Sequence, residues 1–343
     1  MTAINNLDED RFLKGSIAVV VLFVVGVVLK MARPVLIPFI LAVFLSYIID
    51  PALTFLTKCR CPRPEAVLLV LALMFVFLYL AGALVYSSGK SLAAELPKYQ
   101  QRIGDLTRIL ESGVGPFKLN LSSALEKLDI GKLGAVILSA IGPFFNLLGK
   151  LLLVFLFLVF IVSGRGRGVT KVQKALGDGR AGQVRKAFEG INGQVRKYLI
   201  IKTLMSLANG LEVWLVLTLF GVDFAAFFGF LAFVLNFIPS IGSLTAMVLR
   251  VGFAFFQFGT FWTPFWVLVI TAGLDGILGN FIEPRIMGKG LGLSPLLVFF
   301  SLLFWGWLWG IPGMILSVPL TAVIKIVCQN VPALRPVAVL MGP

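Results

Sequence analysis

Residues 223–258, DFAAFFGFLAFVLNFIPSIGSLTAMVLRVGFAFFQF, decide how this chain is to be folded. Two apolar stretches, 223–238 and 243–258, flank Ile238-Pro-Ser-Ile-Gly242. Neither alternates polar with apolar residues, so both read as helix. Each rises ~24 Å as a helix, short of the ~30 Å hydrocarbon core of a bilayer. Two half-length helices joined at a Pro/Gly tip predict a re-entrant hairpin. A pair of tilted full spans is the other arrangement. The pattern recurs at 294–308 and 311–328, around Gly310-Ile-Pro-Gly313. A full span, 262–283, and the polar loop Glu283-Pro-Arg-Ile-Met-Gly-Lys-Gly-Leu-Gly292 separate the two pairs.

Composition agrees. The chain has 343 residues, 59% hydrophobic and 13% charged, against a usual charged share of about 25%. Too little polar surface remains for a soluble globular enzyme, and too much apolar surface for disorder. A transmembrane β-barrel would need short alternating segments. The fold class is therefore an all-α integral membrane protein. About eight membrane segments are expected, including the two broken hairpins, with a small extramembrane helical insertion. Counting each hairpin arm as a span gives ten and leaves the termini on the same side.

The net charge of +14 fits basic cytoplasmic loops against anionic lipid headgroups, so no nucleic-acid partner is expected. The chain has no histidine, which excludes His-based triads and His-ligated zinc or haem. Cys59 and Cys61 sit in a basic loop without further ligands nearby, and free thiols are expected there and at Cys328. No metal and no cofactor is expected.

The spans order the chain. Residues 1–14 carry acidic then basic groups, and the apolar run after them lacks a small-residue cleavage box, so it reads as a first span, about 15–32. A second, 34–56, holds Pro34, Pro38 and Pro51, which should bend it. A third is 65–87. Residues 88–143 leave the hydrocarbon: Leu92, Leu96, Tyr99, Ile103, Leu106 and Leu110 form a heptad seam, and Leu121, Leu125 and Leu128 a second amphipathic stretch. That segment serves either as a self-packed cap or as a contact between protomers. A fourth span is 144–163. Residues 164–202 then carry ten basic residues against Asp178 and Glu189, which places them in the cytoplasm. Both termini are then cytoplasmic and 88–143 periplasmic. The expected divisions are 1–87 (scaffold spans), 88–143 (outer insertion), 144–163 (fourth span), 164–198 (basic cytoplasmic segment), 199–330 (transport region) and 331–343 (tail).

Enzyme motifs fail. Gly89-Lys-Ser91 lacks the upstream glycine of a phosphate loop, because Leu84 stands there, and Gly164-Arg-Gly-Arg-Gly168 follows a membrane helix rather than a strand. Polar groups inside the membrane are the better signal, since each is costly unless paired or bathed by water. Asn209 and Glu212 lie in the fifth span, 199–219. Asp275 lies in the span 262–283, with Gly279 and Glu283 at steps of four on one face and Asn280 beside it. Asn236 precedes the first break. Lys202, Arg250 and Lys325 are available counter-charges. Asp275 and Glu212 suit titration in a polar pathway, or salt bridges between helices. Broken backbone at Pro239, Gly242, Gly310, Pro312 and Gly313 can hold a polar solute where it is shielded from lipid. Trp305, Trp307 and Trp309 read first as an interfacial aromatic belt.

Asn236-Phe-Ile-Pro-Ser-Ile-Gly242, Asn280-Phe-Ile-Glu-Pro-Arg-Ile-Met-Gly288, Leu291-Gly-Leu-Ser-Pro295, Phe304-Trp-Gly-Trp-Leu-Trp-Gly-Ile-Pro-Gly313 and Val318-Pro-Leu-Thr321 together resemble the autoinducer-2 exporter family of bacterial permease-like proteins. Leu36-Ile-Pro-Phe39, Tyr47 and Pro51 fit as well. Ser240 and Ser243 depart from the aromatic and Pro common in that family's tip. The resemblance implies an inner-membrane exporter of small polar solutes such as the autoinducer-2 furanone, assembled as a homo-oligomer, a pentamer. It also implies that the two tips and Glu283-Pro-Arg285 handle substrate. Some members are proposed to exchange sodium for protons, so protons or sodium are candidate partners. The expectation is a secondary transporter and not an enzyme. A sodium/proton antiporter, a membrane scaffold and an oligomeric channel are the rival readings.

Overall fold

The computed structural model of the chain describes residues 16–17, 20–21, 23–112, 151–164, 178–287, 292–331 and 334–342; side chains at 93, 96–112, 178–191 and 330 are not described. Among these residues every regular element is helical. The elements are α1 (Phe23–Met31), α2 (Arg33–Ile48), α3 (Asp50–Lys58), α4 (Arg63–Ser112), α5 (Leu151–Gly164), α6 (Asp178–Leu219), α7 (Ala225–Leu235), α8 (Ile241–Phe258) and α9 (Trp262–Gly276). A π-helical turn (Ile277–Ile282) follows, then α10 (Glu283–Met287), α11 (Pro295–Trp309), α12 (Ile311–Asn330) and α13 (Arg335–Leu340). Five helical stretches are long and apolar enough to cross a membrane, and a sixth if α1 and α2 form one broken span.

Proline sets the early breaks. The chain bends by 81° between α1 and α2, where Pro34 enters the first turn of α2 without an N–H to give. Ile49 closes α2 and opens α3, whose first turn holds Pro51. Pro38 lies inside α2 without ending it. The 81° elbow has a specific partner: the Trp309 indole N–H donates to the Leu29 carbonyl at 3.1 Å.

Two helices are longer than any bilayer. α4 has 50 residues, ~75 Å at the usual rise, and passes residue 88 unbroken, so its amphipathic half continues the third span. α6 has 42 residues and likewise runs from the basic segment into the fifth span. The side chains of the heptad seam beyond Glu95, the stretch around Leu121, Leu125 and Leu128, the Gly164–Gly168 run after its first residue, and the N-terminal residues 1–15 lie outside the described residues. The apolar window of α4 is only 11% buried. That face is stable against lipid and not against water.

Two lobes meet along α6. Ala42, Ile49, Leu53, Ala66, Val70, Leu158 and Val162 join α2–α5 into one core. Val213, Leu217, Phe228, Ala232, Ala246, Ala254 and Val267 join α6–α9 into another. Between them Phe44 of α2, Tyr198 of α6 and Leu316 of α12 pack together. The Tyr47 hydroxyl donates to Asn192 Oδ1 at 2.6 Å, and Arg196 pairs with Asp50 at 2.9 Å.

The chain breaks at both Pro/Gly positions, although α8 and α12, the second arm of each pair, are each long enough to cross a membrane alone. α7 spans 11 residues, ~16 Å, and turns through Asn236–Ser240 into α8. α11 meets α12 at Gly310, whose φ of 70° and ψ of −147° suit glycine alone. The tryptophans depart from a belt. Of Trp305, Trp307 and Trp309, the first and last are buried against Leu29, Leu36 and Ile40, while Trp307 faces outward, 68% exposed, with Lys30 Nζ 5.1 Å above its ring. Indole packing at the hairpin–elbow junction outweighs interfacial anchoring.

One buried amide staples the entrance to the first hairpin. Gln257 Oε1 accepts from the Asp223 N–H at 2.7 Å, and its Nε2 donates to the Gly221 carbonyl at 2.9 Å. Gln257→Leu removes both partners at a site only 7% exposed. It should lower stability by about 1–3 kcal/mol, read as an earlier thermal unfolding in detergent. Unchanged unfolding would show that the staple carries no load.

Candidate functional site

The α6–α7 contact decides where the first hairpin sits. Gly210 and Gly229 face each other so closely that a Cβ on Gly210 would lie 2.8 Å from the Gly229 carbonyl oxygen, and one on Gly229 2.7 Å from that of Gly210. Small residues at this crossing let the backbones touch. The same approach brings the tip down beside α6, where Asn236 Nδ2 donates to Ser206 Oγ at 3.0 Å. At the turn, Ser240 takes a positive φ of 58°, and Gly242 is pressed against Leu235 with no room for a side chain.

The helix formed by α9, the π-turn and α10 runs antiparallel to α6. Its register pairs Asp275 with Asn209 and Glu283 with Lys202. The Asn209 amide and the Arg250 guanidinium both donate to the Asp275 carboxylate, so Asp275 ties α9 to α6 and α8 together. Arg250 is 1% exposed. Two turns further along, Lys202 Nζ sits 3.0 and 3.2 Å from the two Glu283 oxygens. Glu212 follows Asn209 by three residues. Both of its carboxylate oxygens are sealed from solvent and meet no hydrogen-bond partner of ordinary geometry among the described residues. The charges acting on it are those of Asp275 and Arg250. With both carboxylates ionised, the Arg250–Asp275–Glu212 cluster carries one uncompensated negative charge.

Between these helices and the tip lies a cavity of about 450 Å³. Lys202, Asn209, Asn236, Pro239, Ser240, Ser243, Asp275, Asn280 and Glu283 line it, with Met205 and Met247 as apolar wall. Asn280 owes its place to the π-turn. Bonds from i to i+5 turn the chain less per residue than an α-helix, so residues five apart, Asp275 and Asn280, swing toward one face. In a regular helix Asn280 would point elsewhere.

The structure thus gathers Asn209, Asn236, Pro239, Asp275, Asn280 and Glu283 around one space, with Gly242 packed beneath the tip and Glu212 behind Asp275. It does not bring the second break there. Gly310, Pro312 and Gly313 lie by the α1–α2 elbow, and Arg285 is exposed on α10. Of the candidate counter-charges, Lys202 and Arg250 face carboxylates. Lys325 is buried elsewhere and donates to the Gly292 carbonyl. Ser206, Met205 and the π-turn are parts that residue types alone did not signal. Cys59, Cys61 and Cys328 are free thiols. No group of three or more candidate ligands for a metal occurs among the described residues.

The comparisons bear on what such a cavity serves. The family described as AI-2E family transporter matches residues 17–333. The AI-2 transport protein TqsA of Escherichia coli is 32% identical over 92% of this chain and 91% of its own. A proposed transport protein of Haemophilus influenzae is 33% identical over 98% of each chain. Another of Borreliella burgdorferi is 34% identical over 94% of this chain and 89% of its own.

Proposed function

The chain belongs to the AI-2E transporter family, and from that premise we propose that it exports a small hydrophilic solute through the cavity between α6, α9 and the tip of the first hairpin. One observation carries this reading: a polar space of about 450 Å³ is walled by apolar helices of membrane-spanning length. Amides, hydroxyls and paired charges at that depth are costly unless they serve water or a solute. The name of the Escherichia coli relative suggests the autoinducer-2 furanone as the solute to try first. The protein sits in the bacterial inner membrane with both termini cytoplasmic and 88–143 periplasmic, as a homo-oligomer. Its two broken pairs are re-entrant hairpins.

A second reading rests on the uncompensated charge of the Arg250–Asp275–Glu212 cluster. One proton or one sodium ion would neutralise it, so exchange of cations is the rival or the companion of solute flux. The test is purified protein in liposomes, with furanone efflux and internal pH followed together. Asn280→Leu, which puts an apolar side chain into the cavity, should reduce furanone flux at least tenfold while leaving the protein folded. Cation exchange that persists with no furanone flux in the wild type would replace the first reading with the second.

A further inference from the structure

We propose that the Lys202–Glu283 ion pair is a gate on the cytoplasmic end of this cavity, and that the π-turn Ile277–Ile282 is its hinge. The inference rests on the transport reading for its purpose, but not for its geometry.

Position comes first. Going from Asn209–Asp275 toward the basic segment that precedes the fifth span, the next polar contact between the two helices is Lys202–Glu283. The side chains are 11% and 19% exposed, and both line the cavity. The pair therefore stands between the cavity's polar centre and the end of α6 that carries the basic residues. A solute passing that way must part it.

Mobility comes second. The helix is held firmly on one side of the π-turn, because Asp275 accepts from both Arg250 and Asn209. Beyond the turn, α10 has five residues and none is buried. The turn itself contains no buried residue. Gly276 and Gly279 have nothing within 4 Å of where a side chain would begin, so the backbone there has room to move. A π-turn is a tolerated defect in an α-helix. Regularising it while Asp275 stays fixed rotates everything downstream by about one residue's turn, ~100°. Glu283 would then leave Lys202 and the end of the cavity would open.

The test reads access rather than flux. The three native cysteines are replaced by serine and one cysteine is placed at Asn280. A membrane-impermeant maleimide is then applied to inside-out vesicles, where the cytoplasmic face is outward. With the pair intact, labelling should be slow. Glu283→Gln should speed it roughly tenfold, the effect of weakening a closed state by about 1.4 kcal/mol. The charge swap K202E with E283K should restore slow labelling, which a merely misfolded variant would not do. Deleting Leu278 lets the turn close as α-helix while cancelling that rotation, so Glu283 keeps its register on Lys202, the hinge is lost, and labelling should stay slow. In that background Glu283→Gln should no longer speed labelling. Equal labelling of wild type and Glu283→Gln, or a swap that labels like Glu283→Gln, overturns the gate. A Leu278 deletion that leaves the acceleration intact overturns the hinge. Absence of furanone flux from the wild-type protein, with labelling of the cysteine variants as expected, removes the transport reading and leaves the gate standing.

Discussion

Arg250→Leu should be the most damaging single change around the cavity, although Arg250 stands behind the wall and reaches it only through Asp275. Among the described residues, Arg250 is the one cation acting on both Asp275 and Glu212, and it is 1% exposed. Its removal leaves both half-buried acids without a counter-charge. Breaking a buried pair from one side costs about 3–5 kcal/mol, because the surviving charge stays desolvated. The contact also joins α8 to α9, so the first hairpin loses its hold on the Asp275 helix. Thermal unfolding in detergent should fall sharply, with poor recovery of folded protein. The double variant R250L with D275N should recover part of the loss, because the second change neutralises Asp275, one of the two acids that the first strands, and removes its repulsion of Glu212. Such non-additivity is expected of residues in contact. Asp275→Asn alone should be milder for folding, since Glu212 remains to balance the guanidinium. Wild-type unfolding of Arg250→Leu would mean that the cluster is not a closed electrostatic unit.

Much of this arrangement can be read in the residues, for physical reasons. Length and apolarity mark membrane helices because lipid tolerates little else. Pro239 with Gly242, and Pro312 with Gly313, mark breaks because they cannot continue a helix at low cost. Asp275, Glu212 and Asn209 stand out because charge at that depth needs a reason. What the sequence does not display is register. That Asn209 meets Asp275, and Lys202 meets Glu283, follows from two antiparallel helices crossing some 70 residues apart in the chain, and no local pattern encodes that alignment.

The π-turn was equally hidden. Ile-Leu-Gly-Asn-Phe-Ile (277–282) has no residue that forbids an α-helix, so α-helical steps put Asp275, Gly279 and Glu283 on one face. The wider turn adds Asn280 to that face. Polarity on α4 and α6 marks the membrane boundary and not the helix end: hydropathy falls near 88 and before 199, where each helix leaves the hydrocarbon. The tryptophans show the same limit from the other side. Indole is at home at an interface and in a core, and only the tertiary position of Leu29 and Ile40 decides between them for Trp305 and Trp309.

The second hairpin allows a sharper prediction, because its three special residues do different work. Gly313→Ala should disrupt it outright. A Cβ there would lie 2.0 Å from the Trp305 carbonyl oxygen and 3.0 Å from Trp309 Cβ. The first of these is backbone, which cannot rotate aside, so α11 and α12 would have to separate. Overpacking of that severity costs about 3 kcal/mol or more. It would also shift Trp309 away from the Leu29 carbonyl it holds, loosening the α1–α2 elbow. Gly310→Ala forces a side chain into a backbone conformation that suits glycine alone, at about 1–3 kcal/mol. Pro312→Ala should do least. Pro312 occupies the first turn of α12, where no N–H is missed, and its loss frees only the unfolded chain, at about 1 kcal/mol or less. The expected order of thermal unfolding in detergent is therefore wild type, Pro312→Ala, Gly310→Ala, Gly313→Ala, from highest to lowest. A Gly313→Ala protein as stable as Pro312→Ala would show that the two helices are not in backbone contact. If Pro312→Ala unfolds normally yet loses furanone flux, the tip acts in transport itself, and the close packing at Gly313 serves to hold it in place.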